Sequence, residues 1–282
     1  MSISKYWLEN ENGERISLSA WDGMALKSVQ GLGANFSHVT ADLENGFFSH
    51  VYEKNPSETI TADLLFKGDA YRQYRELVDW LQAADHIYFV YCPFGQDEYF
   101  TEVKLNFITK VGRKNGWATM PISFVRLTPW YRPVNVSVNF SVPSMGTFFA
   151  WNVSRLEVDR LASNVAGTFS ADVQAKGHLP AAVKITFNGH IGNPVFTLKD
   201  TEKDIVYGRC ELEGSYTGEV VLDTRYAGSS VTHNGADIIN DLNLQHDPFF
   251  RIPVGRPCII EAGGNDISGS ATVEIYEYYR SV

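Results

Sequence analysis

The chain has 282 residues, 44% of them hydrophobic and 13% aromatic, with a formal net charge of −9. That is enough apolar material for one large domain or two ordinary ones, and it excludes wholesale disorder. The acidic balance, with no lysine- or arginine-rich run, excludes a protein that grips nucleic acid through its phosphates. No segment approaches the roughly 18 uninterrupted apolar residues of a membrane span, and MSISKYWLENENGERIS has no apolar core of signal-peptide length. Cys92, Cys210 and Cys258, few and far apart, are expected to be reduced, buried, small hydrophobes.

The first forty residues read as short strands broken by turns at Glu11-Asn12-Gly13 and Trp21-Asp22-Gly23. Gly31-Leu32-Gly33 is a small-residue corner; it lacks the third glycine and the βαβ unit of a dinucleotide loop. One helix is expected from Asp69 to Ala84, with Asp69 as N-cap. Tyr71, Tyr74, Leu77, Val78 and Leu81 share one face of it, and Arg72, Arg75, Glu76 and Asp79 the other. Three strands follow, His86 to Tyr91, Tyr99 to Val111 and Trp117 to Leu127. In the middle strand Tyr99, Thr101, Val103, Leu105 and Phe107 alternate with Phe100, Glu102, Lys104 and Asn106, a period of two. Asn115-Gly116 is a strong hairpin signal.

Thr128-Pro129-Trp130-Tyr131-Arg132-Pro133 marks the domain boundary, because its two prolines stop both helix and central strand. Strand-like alternation at Val134, Val136, Val138 and Phe140 is followed by Pro143-Ser144-Met145-Gly146. From Leu179 the pattern is all-β. Val183, Ile185 and Phe187 alternate inward, Asn188-Gly189 and Gly192-Asn193-Pro194 are expected to reverse the chain, and Val195 and Thr197 to run back. Glu219 to Asp223, Arg251 to Ile260 and Thr272 to Tyr279 supply further strands of an antiparallel sandwich. A single helical turn is expected within Asp237 to Leu244.

A search for chemistry finds little. Of seven histidines (His38, His50, His86, His178, His190, His233, His246) no two lie at metal-ligating spacing, and no C-x-x-C pair occurs. There is no G-x-S-x-G nucleophile elbow. Glu157, Asp159, Glu211, Glu213 and Asp223 are the carboxylates to consider for a glycosidase pair, but alternating charges on strands mark a solvated face. Trp151-Asn152, Tyr207-Gly208-Arg209 and Tyr226 are the aromatics to consider for stacking a sugar, against core or interface packing. No catalytic, cofactor-binding or metal residue is assigned, and no cofactor is expected.

The ordered phrases LPAAVKITFNGHIGNPVFTL, GEVVLDT, HNGADI, DPFFRIPVGRPCIIEAGG and SATVEIYEYY resemble the C-terminal half of the distal tail proteins of long-tailed, siphovirus-type bacteriophages. LSAWDGMALKSVQGLG, the helix ending VDWLQAA, the strand pair and RLTPWYRP resemble the N-terminal half of the same family. The stretch from Val142 to Lys176 carries none of the resemblance. What it implies is a mainly β protein of two domains. Residues 1–140 would form a ring-forming belt, a β-sandwich with one helix and an extended hairpin. Residues 141–282 would form a galectin-like antiparallel β-sandwich.

The resemblance further implies a non-enzymatic virion structural protein at the tail tip, assembled in the bacterial host cytoplasm as a hexameric ring. Its partners would be the tail tube protein, the tail-associated hub or lysin protein, and a receptor-binding or side-fibre protein. DNA would pass through without specific binding, and an acidic lumen would keep it from sticking. A closed ring needs two complementary patches on each copy. The hairpin between His86 and Leu127 is the candidate for one of them, with Arg113, Lys114, Asn115 and Gly116 at its tip. Two other readings stay open: a carbohydrate-binding baseplate component that contacts the host surface directly, and a tail-tube-like protein.

Overall fold

The computed structural model describes residues 4–19, 23–33, 37–42, 48–54, 58–109, 113–114, 117–141, 168–226 and 228–282. Over 37–42, 48–54, 113–114, 117 and 140–141 the backbone alone is described. Trp21, Asp22, the run from Pro143 to Gly146, Trp151, Asn152, Glu157 and Asp159 lie outside the described residues. The strands are β1 (Lys5–Asn10), β2 (Arg15–Ser17), β3 (Met24–Gln30), β4 (Ser37–Asp42), β5 (Phe48–Lys54) and β6 (Thr59–Lys67). After helix α1 (Ala70–Ala83) come β7 (Ile87–Cys92), β8 (Tyr99–Ile108), β9 (Arg113–Lys114), β10 (Trp117–Arg126) and β11 (Trp130–Val136). The remainder are β12 (Asn139–Ser141), β13 (Thr168–Val173), β14 (Leu179–Asp200), β15 (Val206–Glu211), β16 (Ser215–Asp223), β17 (Ser230–His233), β18 (Ala236–Asp237) and β19 (Cys258–Tyr279). The chain divides into two compact units, Met1–Arg132 with Tyr279–Val282, and Pro133–Tyr278.

The first unit is built on antiparallel pairs in the order β2–β1–β7–β8–β10–β6–β3. Its two ends approach each other: the Leu26 amide donates to the Leu18 carbonyl at 3.0 Å. The α1 start follows from Asp69, whose carboxylate accepts the Arg72 amide at 3.3 Å and satisfies one of the orphan donors of the first turn. Leu77 and Leu81 bury the inner face of the helix in a core shared with Phe66, Phe89, Phe124 and Trp130. Phe89 sits between Phe124 and Trp130, at centroid distances of 6.0 and 6.2 Å, in the edge-to-face arrangement that aromatic quadrupoles favour. Tyr71 corrects the expected helix face. It is 61% exposed, and the stripe that meets the core is Ala70, Tyr74, Leu77 and Leu81.

Strand β8 corrects the expected period of two. Phe124 pairs with Leu105 but Ser123 pairs with Phe107, so Asn106 is an extra residue in a bulge. Beyond the bulge it is Ile108 that packs on the core, and Phe107 turns outward, 46% exposed. Strands β4 and β5 pair with each other to form a two-stranded ribbon separate from the main sheet. It is an excursion from a hairpin: Gln30 of β3 pairs with Thr61 of β6, so the chain leaves and returns at one point.

In the second unit β14 and β19 are 22 residues each and run the length of two half-sheets. One half is ordered β12–β13–β19–β14–β15, using the early part of β19 and the late part of β14. The other is β19–β14–β16–β17–β18, using the opposite ends of the same two strands. The expected chain reversals at Asn188-Gly189 and Gly192-Asn193-Pro194 are therefore bends within one strand. Register shifts between His190 and Gly192 and between Gly192 and Val195 carry β14 from one half-sheet to the other, the way strands switch sheets at bulges. Likewise Arg251 to Ile260 and Thr272 to Tyr279 are not separate strands, since Cys258 to Tyr279 is continuous.

Glycines make that crossing possible. Gly189 pairs with Gly269 on one side and Gly218 on the other, with φ of 150°, 146° and 114°. A Cβ at Gly189 would lie 2.0 Å from the Ser268 carbonyl oxygen, so only glycine lets the backbones approach this closely. Inward residues Val183, Ile185 and Phe187 of β14 join one buried cluster with Ile275 of β19 and Leu222 of β16. All three cysteines are free and buried, as expected, and burial pushes the Cys210 thiol up to about 12, which keeps it an inert hydrophobe. The expected helical turn is a 3₁₀ turn at Ile239–Asp241.

Candidate assembly surface

Several of the described side chains singled out for chemistry have close partners. Tyr207 donates its hydroxyl to Asp200 at 2.8 Å and accepts from Arg256 at 3.1 Å. Arg209 is ion-paired with Glu211, which also accepts from the Asn243 amide group at 3.0 Å. Asp223 accepts from Nε and Nη2, one edge of the Arg225 guanidinium, at 2.6 to 3.1 Å, and Arg225 lies 5.0 Å from the Tyr276 ring centroid. Tyr226 is 55% exposed, but the Arg251 guanidinium stands 4.4 Å from its ring centroid and Tyr278 meets it edge-on at 5.2 Å. Glu213 is exposed at the β15–β16 connection. Among the described residues no group of His, Cys, Asp and Glu is arranged to hold a metal ion.

Asp200 is the most heavily bonded of these carboxylates. The Tyr207 hydroxyl, the Glu202 and Lys203 amides and Arg256 all stabilise its charged form and hold its pKa below the usual carboxylate range. These contacts pin the Thr201–Asp204 turn between β14 and β15. They fix the structure of that turn.

The backbone edges are more informative. In the tip hairpin Lys114 pairs with Trp117 and Arg113 with Ala118, which leaves Asn115 and Gly116 as the connection; those two residues lie outside the described ones. The predicted ribbon is only partly a free hairpin, because β10 is paired along Trp117–Val125 with β6 on its other side. Pairing of β8 with β7 stops at Val103–Ile87. From Lys104 to Ile108 that edge of β8 has no strand partner among the described residues. The β4–β5 ribbon likewise has no further strand partner among them. Sequence reasoning missed this ribbon. Its signal was the Asn45-Gly46 pair between SHVTAD and FSHVYEK, which marks a two-stranded turn.

A rigid loop lies at the other end of the β7–β8 pair. Phe94 has φ of 49° and is 64% exposed in the turn Pro93–Gly95. The turn is braced by a Gln96 amide to Pro93 carbonyl bond of 2.9 Å, by the Arg132–Asp97 ion pair, and by Arg15 on Glu98 at 2.9 Å.

Comparison with known proteins agrees with the fold. Residues 5–125 match the family model for the N-terminal domain of the distal tail protein. Among solved structures, a chain of the phage P2 baseplate in its activated conformation with calcium aligns over 99% of this chain and 100% of its own, at 13% identity and TM-score 0.71. The strontium form of that baseplate gives the same values. The Dit protein (gp 19.1) of phage SPP1, described as a paradigm of the hub adsorption apparatus in phages infecting Gram-positive bacteria, aligns over 96% of this chain and 98% of its own, at 13% identity and TM-score 0.61. At that identity the likeness concerns the fold. No curated protein matches the sequence. Residues 5–125 of this chain, which is mainly β with one helix among the described residues, are thus recognised as a distal tail protein N-terminal domain.

Proposed function

We propose that the chain is a structural hub at the far end of a siphovirus-type tail, closing as a hexameric ring. The first unit acts as the ring-forming belt. The ring joins the tail tube to the tail-associated hub protein, and the second, galectin-like unit carries receptor-binding or side-fibre proteins. DNA passes through the centre without specific binding, and the net charge of −9 suits a lumen that must not hold a polyanion. The work of the protein is assembly and symmetry matching, with no catalytic step. It acts in the virion tail tip after assembly in the bacterial host cytoplasm.

The observation that carries this reading is the distal tail match over residues 5–125, set within a fold that aligns with baseplate chains along nearly its whole length. The contacts of Tyr207 with Asp200, of Arg209 with Glu211 and of Tyr226 with Arg251 support a packing role for those residues over sugar stacking. Negative-stain imaging of the purified chain at micromolar concentration tests the reading. Closed rings with an open centre and six-fold averages are expected. Open filaments, or rings of another fold symmetry, contradict it.

A further inference from the structure

A ring of identical copies needs a donor patch and a different acceptor patch on every copy, because heterologous contacts close head to tail. Two backbone features of the first unit meet that description. One is the β4–β5 ribbon, an excursion whose outer edges are unpaired among the described residues. The other is the edge of β8 from Lys104 to Ile108, left open where β7 ends opposite Val103. Unpaired main-chain edges are templates for another strand, and β-strand addition is a common mode of docking. The remaining long edge, that of β3, is blunted: Ser28 has φ of 55° and the register shifts between Lys27 and Gln30.

Charge identifies the occupant. In sequence, β4 and β5 carry Asp42 and Glu53 against the single cation Lys54. In sequence, the open β8 edge from Lys104 to Ile108 and strand β9 carry Lys104, Arg113 and Lys114 and no acid. Phe107, turned outward by the Asn106 bulge, adds an exposed apolar anchor at the centre of the edge. Opposite charge on two separate patches of one chain is the pattern expected of copies that steer onto each other in one orientation.

We infer that the β4–β5 ribbon of one copy pairs with the Lys104–Ile108 edge of β8 in the next copy, and that this contact closes the ring. The inference rests on the ring reading and names its two surfaces. It gives Arg113 and Lys114 the role of cationic flank to the acceptor.

Complementation of two defective chains tests it. Removing residues 34–57 deletes the donor and leaves a short hairpin connection, since Gln30 already pairs with Thr61. Phe107→Asp damages the acceptor at an exposed position outside the core. Should the excision fail to fold, judged by far-UV circular dichroism, the chain with Asp42→Lys and Glu53→Lys takes its place. The wild type is expected to assemble, less so as salt rises through the screening range. Each variant alone is expected to lose the ring peak and run as a monomer. An equimolar mixture is expected to yield one-to-one dimers, because each partner keeps one sound patch. Assembly of either variant at wild-type level, or a mixture that stays monomeric while the wild type assembles, overturns this inference alone. A wild type that never assembles overturns the ring reading beneath it.

Discussion

Replacing Gly189 by alanine strikes the point where β14 crosses between half-sheets. The backbone there sits at φ of 150°, and the added methyl would stand 2.0 Å from the Ser268 carbonyl oxygen and 2.7 Å from the Gly269 Cα. The conformation costs a side-chain-bearing residue about 1–3 kcal/mol. Pushing two paired strands apart adds about 1–3 kcal/mol of overpacking. The obstacle is backbone held by two neighbouring strands, so no rotamer change relieves it. A loss of about 3 kcal/mol, with a urea slope of about 2 kcal/mol/M, moves the unfolding midpoint down by about 1.5 M. The assay is urea unfolding by far-UV circular dichroism, with hydrogen exchange of peptides covering 184–192 assigning the transition to the second unit. Gly263→Ala is the control, since nothing lies within 4 Å of its added Cβ; its midpoint is expected to stay within about 0.5 kcal/mol of wild type. Equal effects from the two substitutions would refute the crossing argument.

Phe89→Ala removes the ring between Phe124 and Trp130 in a fully buried site and is expected to cost the first unit about 3–5 kcal/mol, read from tryptophan fluorescence during urea unfolding. Asp69→Ala strips the α1 cap and is expected to cost about 1 kcal/mol in the same titration, with Asp69→Asn recovering most of it. Asp200 has a folded pKa below its unfolded value, so its contribution is fully present above the ordinary carboxylate range and lost as pH falls through the lower folded value. The gap in unfolding midpoint between wild type and Asp200→Asn is therefore expected to hold steady from neutral pH to about 5 and to shrink below about 4. A gap that widens on acidification would contradict the bonding described at Asp200.

The helix and the β7–β8–β10 strands were legible because Leu77, Leu81 and the β8 residues up to Val103 follow simple periods and carry clear caps and turns. Phe107 was misread because a one-residue bulge flips every side chain beyond it, and a bulge leaves no mark in an alternating pattern. Gly189 and Gly192 were read as turns since a glycine next to asparagine favours reversal. The same conformational freedom also serves strand crossing, and only the long pairing of β14 with β19 decides between the two uses. The β4–β5 ribbon carried a local signal in Asn45-Gly46, but nothing local separates a free ribbon from a paired one; that distinction lies in whether other strands reach its edges. For the polar candidates, composition alone left Tyr207, Arg209 and Asp223 available; Asp200 reaches Tyr207 once the Thr201–Asp204 turn folds back, whereas Glu211 and Arg225 stand two residues along the chain from Arg209 and Asp223.

The central claim is that this chain closes on itself as a ring of six. Light scattering after gel filtration at micromolar concentration measures this directly. Six copies of 31.6 kDa predict a single species of about 190 kDa. A mass of one copy across the accessible concentrations would contradict it.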